Sequence, residues 1–377
     1  MQEILSELNA YVQHKDYQLY RRRLLDAAYE TQNDTLIDEA IGWSLQTPKE
    51  EGDNTLAWLN TGTRLLQKVA EKIQHAGPAK RVQLVKADNL TKQYAKSVFS
   101  LKPFHVEIYS GDIIGIVGEN GNGKTTLLRC LAGQLQKSTG DISYFGIESS
   151  DDFYSIKHKV AFIPQRIPRW FGLLKDNLHF SAAISGIHGK ENDRMVHFML
   201  ERLNLTKFAN LTWDKISSGY RTRFEIARIL LQKPNLLILD EPLANLDIHA
   251  QQTLLSDLQF LVKSPTLNLG VILSSQQLHE VEKVADKVLL IKDGNCFWNN
   301  DLMTESDIGE LVVELETTTD RTHLAAILPP SIAIAFNGNF YTLSGHFTAK
   351  ELLATLSEKN VEVLYFRNIT HSTKRFF

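Results

Sequence analysis

The sequence predicts an α/β core of parallel strands, preceded by a small helical bundle and followed by a compact α+β unit. Three observations carry this. An apolar run, Ile113 to Val117, leads directly into the glycine-rich stretch Gly118-Glu119-Asn120-Gly121-Asn122-Gly123-Lys124-Thr125-Thr126 and then into the helix-like segment Leu127 to Ala132. A second apolar run, Leu236 to Leu239, ends on Asp240 and Glu241, the composition of a buried parallel strand delivering acids at its carboxyl end. The hydrophobic period differs on either side of this core: helical before it, alternating strand and helix after it. The divisions fall at residues 1–80, 81–300 and 301–377.

In the first unit, Leu5, Leu8, Tyr11 and Val12 share one helical face. Tyr17 to Thr31, Leu36 to Gln46 and Leu56 to Gln74 repeat that period, with Asn33-Asp34, Pro48 and Gly52-Asp53-Asn54 as breaks. Four antiparallel helices in a bundle are expected. Arg21-Arg22-Arg23 shares its helix with Asp16, Asp26 and Glu30, so a solvated, salt-bridged face is expected there rather than an anion or lipid site. This unit shows no catalytic constellation, which leaves docking or regulation and makes it separable from the core. His75-Ala76-Gly77-Pro78-Ala79 reads as the hinge.

The glycine-rich stretch has a mechanical reason at each fixed position. Gly118, Gly121 and Gly123 allow backbone angles that turn N–H groups inward, and the following helix adds the positive end of its dipole. Lys124 would reach the β and γ phosphates of ATP or GTP, and Thr125 would offer its hydroxyl to Mg²⁺. Asp240 would hold the Mg²⁺ shell, and Glu241 would orient or deprotonate the attacking water. Between the two runs, Ser217-Ser218-Gly219 precedes a helical stretch, Arg221 to Gln232, with Phe224, Ala227, Leu230 and Leu231 on one face; such a start is itself an anion site. Val271 to Ser275 reads as a further buried strand, followed by Gln276 and a helix over Leu278 to Ala285.

The third unit reads as Gly309 to Glu316 strand, Thr322 to Leu328 helix, then Ile332 to Phe336 and Phe340 to Leu343 as a hairpin around Asn337-Gly338-Asn339. Ala349 to Lys359 follows as an amphipathic helix and Val361 to Phe366 as a strand. The order β-α-β-β-α-β predicts a ferredoxin-like split βαβ fold, which assigns no chemistry by itself.

Composition narrows the classes. With 377 residues and a formal charge of −3, the chain has room for two or three domains and no broadly basic surface for nucleic acid. Its 2 cysteines, Cys130 and Cys296, have no metal-binding spacing and read as reduced thiols of a cytosolic protein. The start at Met1 lacks the pattern of a signal peptide, and no apolar run approaches the roughly 20 residues that span a bilayer.

Over about residues 82 to 298 the chain resembles the ATP-binding cassette (ABC) family, a P-loop ATPase fold with a helical subdomain. Ile216-Ser217-Ser218-Gly219-Tyr220 is similar to the family's Leu-Ser-Gly-Gly-Gln signature, keeping Ser217 and Gly219. The resemblance implies that Ser217, Ser218 and Gly219 complete the ATP site of a facing protomer. It implies that Gln165 is the Q-loop glutamine, touching Mg²⁺ and the attacking water, and that Asp247 belongs to the D-loop Pro242 to Asp247. It also implies that Tyr94 stacks on adenine, and that Asn120, Asn122 and Thr126 line the phosphates with the loop's other residues. Gln276 stands where the family has its switch histidine, and His279 lies a turn further on. Glutamine donates a hydrogen bond but carries no charge or proton, so slow turnover is expected.

The C-terminal extension, with its ending Arg367 to Thr373, resembles ATPases of ABC-2 type exporters. The expectation is therefore a cytoplasmic ATPase at the membrane, using ATP and Mg²⁺, working as a head-to-tail cassette dimer and driving export with a separate transmembrane subunit. A soluble regulatory or assembly ATPase with a protein client is the alternative. An idle ATP-binding scaffold is a third, resting on Gln276. Two-cassette translation factors are disfavoured by the single phosphate loop. Chromosome-organising relatives are disfavoured because residues 118–217 leave no room for a long coiled coil.

Overall fold

The computed structural model describes residues 2–48, 53–73, 81–95, 99–149, 152–244, 246–264, 268–298, 310–338 and 340–370. The expected hinge His75 to Ala79, the break at Gly52, D-loop residue Asn245, turn residue Asn339, the boundary region from Trp298's neighbour Asn299 to Gly309, and the ending His371 to Thr373 lie outside them, as does the Leu5 side chain.

Helices α1 (Gln2–Gln13), α2 (Tyr17–Glu30), α3 (Asp34–Ser44) and α4 (Asp53–Ile73) match the expected four. Asp16 and Asn33 cap α2 and α3 by accepting from Leu19 N–H at 3.2 Å and Leu36 N–H at 3.1 Å. Trp43 and Trp58 stack at 4.5 Å, and each indole N–H donates to the other's backbone carbonyl, at 2.9 and 3.2 Å. Such buried polar tips need partners of this kind.

The bundle is not a separate unit. Its Leu24, Leu25, Ala28, Trp43 and Val69 belong to the same hydrophobic cluster as Val196, Phe198, Met199 and Phe224 of the core. Arg21 and Arg22 are buried, with 7% and 6% of their surface exposed, which corrects the expected solvated face. Their partners, Glu201 and Asp257, come from the core: the arginines look like a surface run in sequence because the acids that neutralise them lie far along the chain.

The core begins with β1 (Gln83–Gln93) and β2 (Ser100–Tyr109), then β3 (Ile113–Val117), α5 (Lys124–Leu131), β4 (Thr139–Tyr144), α6 (Phe153–Lys159) and β5 (Val160–Ile163). The helical layer follows as α7 (Leu174–Ile184), α8 (Gly189–Arg202) and α9 (Ser218–Leu230). The chain returns through β6 (Leu236–Leu239), α10 (Ile248–Lys263), β7 (Gly270–Ser275), α11 (Leu278–Glu282), β8 (Lys287–Lys292) and β9 (Asn295–Trp298). Strands β2-β1-β4 form an antiparallel sheet; β5-β6-β7-β3-β8-β9 form the main sheet, parallel except for β9. Strands β3, β6 and β7 are buried along their whole length, which is why they read as unbroken apolar runs.

The C-terminal unit comprises β10 (Leu311–Glu316), α12 (Arg321–Ile327), β11 (Ala333–Asn337), β12 (Phe340–Gly345), α13 (Ala349–Glu358) and β13 (Tyr365–Asn368). Its antiparallel sheet has the order β11-β12-β10-β13. The last strand starts four residues later than expected. Asn360 is left-handed, at φ 54°, and Val361 N–H bonds back to Leu356 C=O at 2.9 Å, so Val361 closes α13 instead of opening the strand. Helix α11 ends at Glu282, three residues before its expected end at Ala285.

Candidate active site

The register of the main sheet assembles the site. Val117 pairs with Ser275, and Leu239 pairs with both Leu273 and Ile163. Four parallel strands therefore end at one edge, and they release the glycine loop, Gln165, Asp240-Glu241 and Gln276 there. The carboxyl edge of such a sheet is where α/β folds bind ligands.

The loop is held tightly against its surroundings. A Cβ at Gly118 would stand 2.3 Å from the Ile291 carbonyl oxygen, and one at Gly123, where φ is 105°, would stand 2.3 Å from the Phe99 ring. Neither position has room for another residue. Lys124, at the first turn of α5, is buried, and its ammonium donates to Gly118 C=O at 2.7 Å and Glu119 C=O at 3.2 Å. It also lies 3.1 Å from Glu241 Oε1. That contact is an ion pair without hydrogen-bond alignment, and Oε1 has no aligned partner among the described residues.

Thr125 hydroxyl donates to Asp240 Oδ2 at 2.8 Å. Ser274 hydroxyl donates to Asp240 Oδ1 at 2.9 Å and accepts from Glu241 N–H at 2.9 Å. Glu241 Oε2 accepts from Gln276 N–H at 3.3 Å, and the Glu241 backbone sits in the left-handed region at φ 50°. A non-glycine residue held there stores strain of the kind found at functional sites. Ser274, fully buried at the end of β7, is the residue sequence reading missed. The available signal was a hydroxyl closing an otherwise apolar strand, since a buried polar group requires a partner.

Gln165 and Gln276 are exposed at the same edge. Tyr94 is 38% exposed, its hydroxyl 3.2 Å from Thr126 Oγ1 and its ring 5.3 Å from Lys92 Nζ. Asn120 is exposed on the loop, and Asn122 Oδ1 accepts from Asp293 N–H at 3.3 Å. His279 accepts from Arg367 at 2.6 Å. Partial burial, and then the Arg367 guanidinium, hold its pKa below the ordinary histidine value, so near neutral pH it is an uncharged side chain tied to the C-terminal unit.

Ser217, Ser218, Gly219 and Asp247 are gathered elsewhere, around a cavity of about 690 Å³ that none of the glycine-loop residues lines. Ser217 is the N-cap of α9, yet its hydroxyl makes no capping bond; Asp247 caps α10 by accepting from Ala250 N–H at 2.9 Å. The residues of the glycine loop and of the strand ends thus form one cluster, and the signature segment with Asp247 forms another.

The first cluster fits a magnesium-bound triphosphate. It offers a buried ammonium, a hydroxyl and a carboxylate already in contact, two glycines, Gly118 and Gly123, with no space for side chains, and a buried carboxylate oxygen lacking an aligned donor. The sequence model of the ABC transporter family matches residues 101–244. The chain is 32% identical to the SkfA peptide export ATP-binding protein SkfE of Bacillus subtilis, covering 56% of this chain and 87% of that one. It is 31% identical to the phosphonates import ATP-binding protein PhnC of Bdellovibrio bacteriovorus, covering 56% and 85%. Against ABC transporter A family member 8 of Dictyostelium discoideum it is 30% identical over 60% of this chain, and it spans only 27% of that relative's length. In structure it is similar to the ATP-binding cassette MJ0796, described as dimeric with ADP and Pi, with a TM-score of 0.51 and 22% identity, covering 57% of this chain and 98% of that one.

Proposed function

This chain belongs to the ABC transporter ATP-binding proteins, and from that premise we propose that it is the ATP-hydrolysing subunit of a membrane exporter. The observation that carries the reading is the contact chain Lys124, Glu241, Asp240, Ser274 and Thr125 at the carboxyl edge of the sheet. Residues 1–80, 81–300 and 301–377 serve as regulatory bundle, cassette and ferredoxin-like extension.

ATP enters with its adenine against Tyr94 and its phosphates in the loop Gly118 to Thr126. Phosphate oxygens then take over the Lys124 ammonium, which already sits at the loop against Gly118 and Glu119 C=O and exchanges those partners for the phosphates. Glu241 loses that ion pair and is left as a buried carboxylate beside the attacking water, ready to accept its proton. Ser274 fixes both acids, holding Asp240 by its carboxylate and Glu241 by its backbone. Thr125, Asp240 and Gln165 would hold Mg²⁺, which would supply neutralisation of the charge spread over the phosphate oxygens. Gln276 offers the γ-phosphate a neutral hydrogen bond.

Ser217, Ser218, Gly219 and Asp247 are assigned to the nucleotide held by a second copy facing head to tail. Their gathering in a cavity apart from the glycine loop supports that division. No described helix is long and apolar enough to cross a membrane. A transmembrane partner and a place at the cytoplasmic face belong to the proposal and are supported by the likeness to transporter ATP-binding proteins. Export is supported by the likeness to SkfE and by the C-terminal extension; PhnC is named for import, so direction rests on the extension.

The test is purification from membranes under mild detergent, with identification of what accompanies the chain. A multi-span partner whose presence raises ATPase activity is the expected result. Quantitative recovery with cytosolic proteins alone would replace this reading with a soluble regulatory or assembly ATPase.

A further inference from the structure

Two adjacent residues of α2 leave the bundle in different directions. Arg21 donates to Glu201 Oε2 at 3.1 Å and to Glu201 C=O at 3.3 Å. Arg202 returns from the same helix, α8, to Asp26 with two bonds of 2.5 and 3.0 Å. Arg22 turns instead to Asp257 on α10, a charge contact with no aligned hydrogen bond at Arg22 Nη2 or Asp257 Oδ1, and lies 5.7 Å over the Phe260 ring of the same helix. Neighbouring helix positions differ by about 100° around the axis, so one helix can serve both partners. The Arg22 and Asp257 side chains are 8% and 2% exposed.

These partners belong to different parts of the core. Helix α8 lies in the helical layer with α7, whereas α10 follows β6 and starts at Asp247. A rigid helix runs about 15 Å from Asp247 to Asp257, so displacement at one end reaches the other. The cavity between the parts is walled by Leu19 and Arg22 from the bundle, Ser217 and Gly219 from α9, and Asp247 and Asp257 from α10.

We propose that Arg22 is a positioning residue for ATP hydrolysis: by holding α10 against a bundle anchored on α8, it sets where Asp247 stands relative to Ser217. The inference rests on the assignment of those two segments to the facing copy's nucleotide. The bundle then acts as a brace across the cassette, and anything that shifts α2 changes the dimer-dependent step without touching the glycine loop.

The experiment uses the full chain. Arg22→Met combined with Asp257→Leu removes both charges at similar volume, a replacement that buried ion pairs often tolerate, whereas a single neutral change strands the partner. Thermal melting, binding of a fluorescent ATP analogue, and steady-state kcat and KM are measured. Association with ATP is followed in a Glu241→Gln background.

Expected are a melting temperature close to the parent's, unchanged analogue binding, kcat lower by about tenfold, and weakened association. A folded double variant with parental kcat and association overturns the proposal. If the double variant does not fold, Arg22→Lys decides: a lower kcat at unchanged analogue affinity supports the brace, and parental kcat overturns it. A Glu241→Gln parent that stays monomeric with ATP sinks the sandwich assignment itself. A parent that associates beside a double variant that associates equally sinks only the role of Arg22.

Discussion

Ser274 joins the two acids of the site through one hydroxyl, and the consequence is testable at that atom. Ser274→Ala removes a bond to the Asp240 carboxylate and leaves Glu241 N–H without its partner. Hydrogen bonds to charged groups contribute about 1.5–3 kcal/mol, so kcat should fall by roughly ten- to hundredfold with the fold intact. Steady-state turnover beside a melting curve checks it; parental kcat would show that the acids hold their places unaided. Gln276 offers a second test. Its backbone already contacts Glu241, so its side chain starts beside the proposed base. Gln276→His should accelerate turnover by about tenfold or more, within the range of general acid–base groups, and Gln276→Ala should slow it. Equal rates for all three would show that the position has no catalytic part. Lys124, Thr125, Asp240 and Glu241 were legible because their spacing to glycines and to a strand end is itself the signal. Ser274 carries no such spacing and becomes visible only when β7 is paired beside β6 and β3.

At the scale of elements, apolar period located nearly everything that local sequence decides. Strand β3 spans the residues expected, and helices α2, α3 and α9 begin and end within a few residues of their patterns. The failures have non-local causes. β13 starts late because the helix closure at Asn360 and Val361 uses residues that alternate like a strand. The bundle looked separable because Arg21 and Arg22 find their acids across the fold, at Glu201 and Asp257. That correction reverses an expectation about truncation. Removing residues 1–75 uncovers Val196, Phe198 and Met199 and strands the charges of Asp257, Glu201 and Arg202. Burying one such apolar side chain contributes about 1.5–3 kcal/mol, so uncovering several of them takes up much of a domain's usual stability of about 5–15 kcal/mol. The truncated chain should be insoluble or unfolded. A soluble product melting at the parental temperature would show that the bundle is an appendage after all.

For the whole molecule, the two clusters of predicted residues raise the central question. The glycine loop with Asp240 and Glu241 forms one cluster, and Ser217 with Asp247 forms another, around a cavity the loop does not line. A single chain that needs both clusters on one nucleotide must borrow the second from another copy, and two copies facing head to tail satisfy this twice. Hydrolysis would dissolve the proposed dimer, so the decisive state is one that binds ATP and cannot cleave it. The most direct measurement is light scattering of Glu241→Gln protein with and without ATP and Mg²⁺, repeated after adding Ser217→Arg. Expected are a dimer with ATP, a monomer without it, and a monomer in both conditions for the doubly substituted chain, which still binds nucleotide. A Glu241→Gln chain that binds ATP and remains monomeric, or one whose dimer is indifferent to Ser217→Arg, would contradict it.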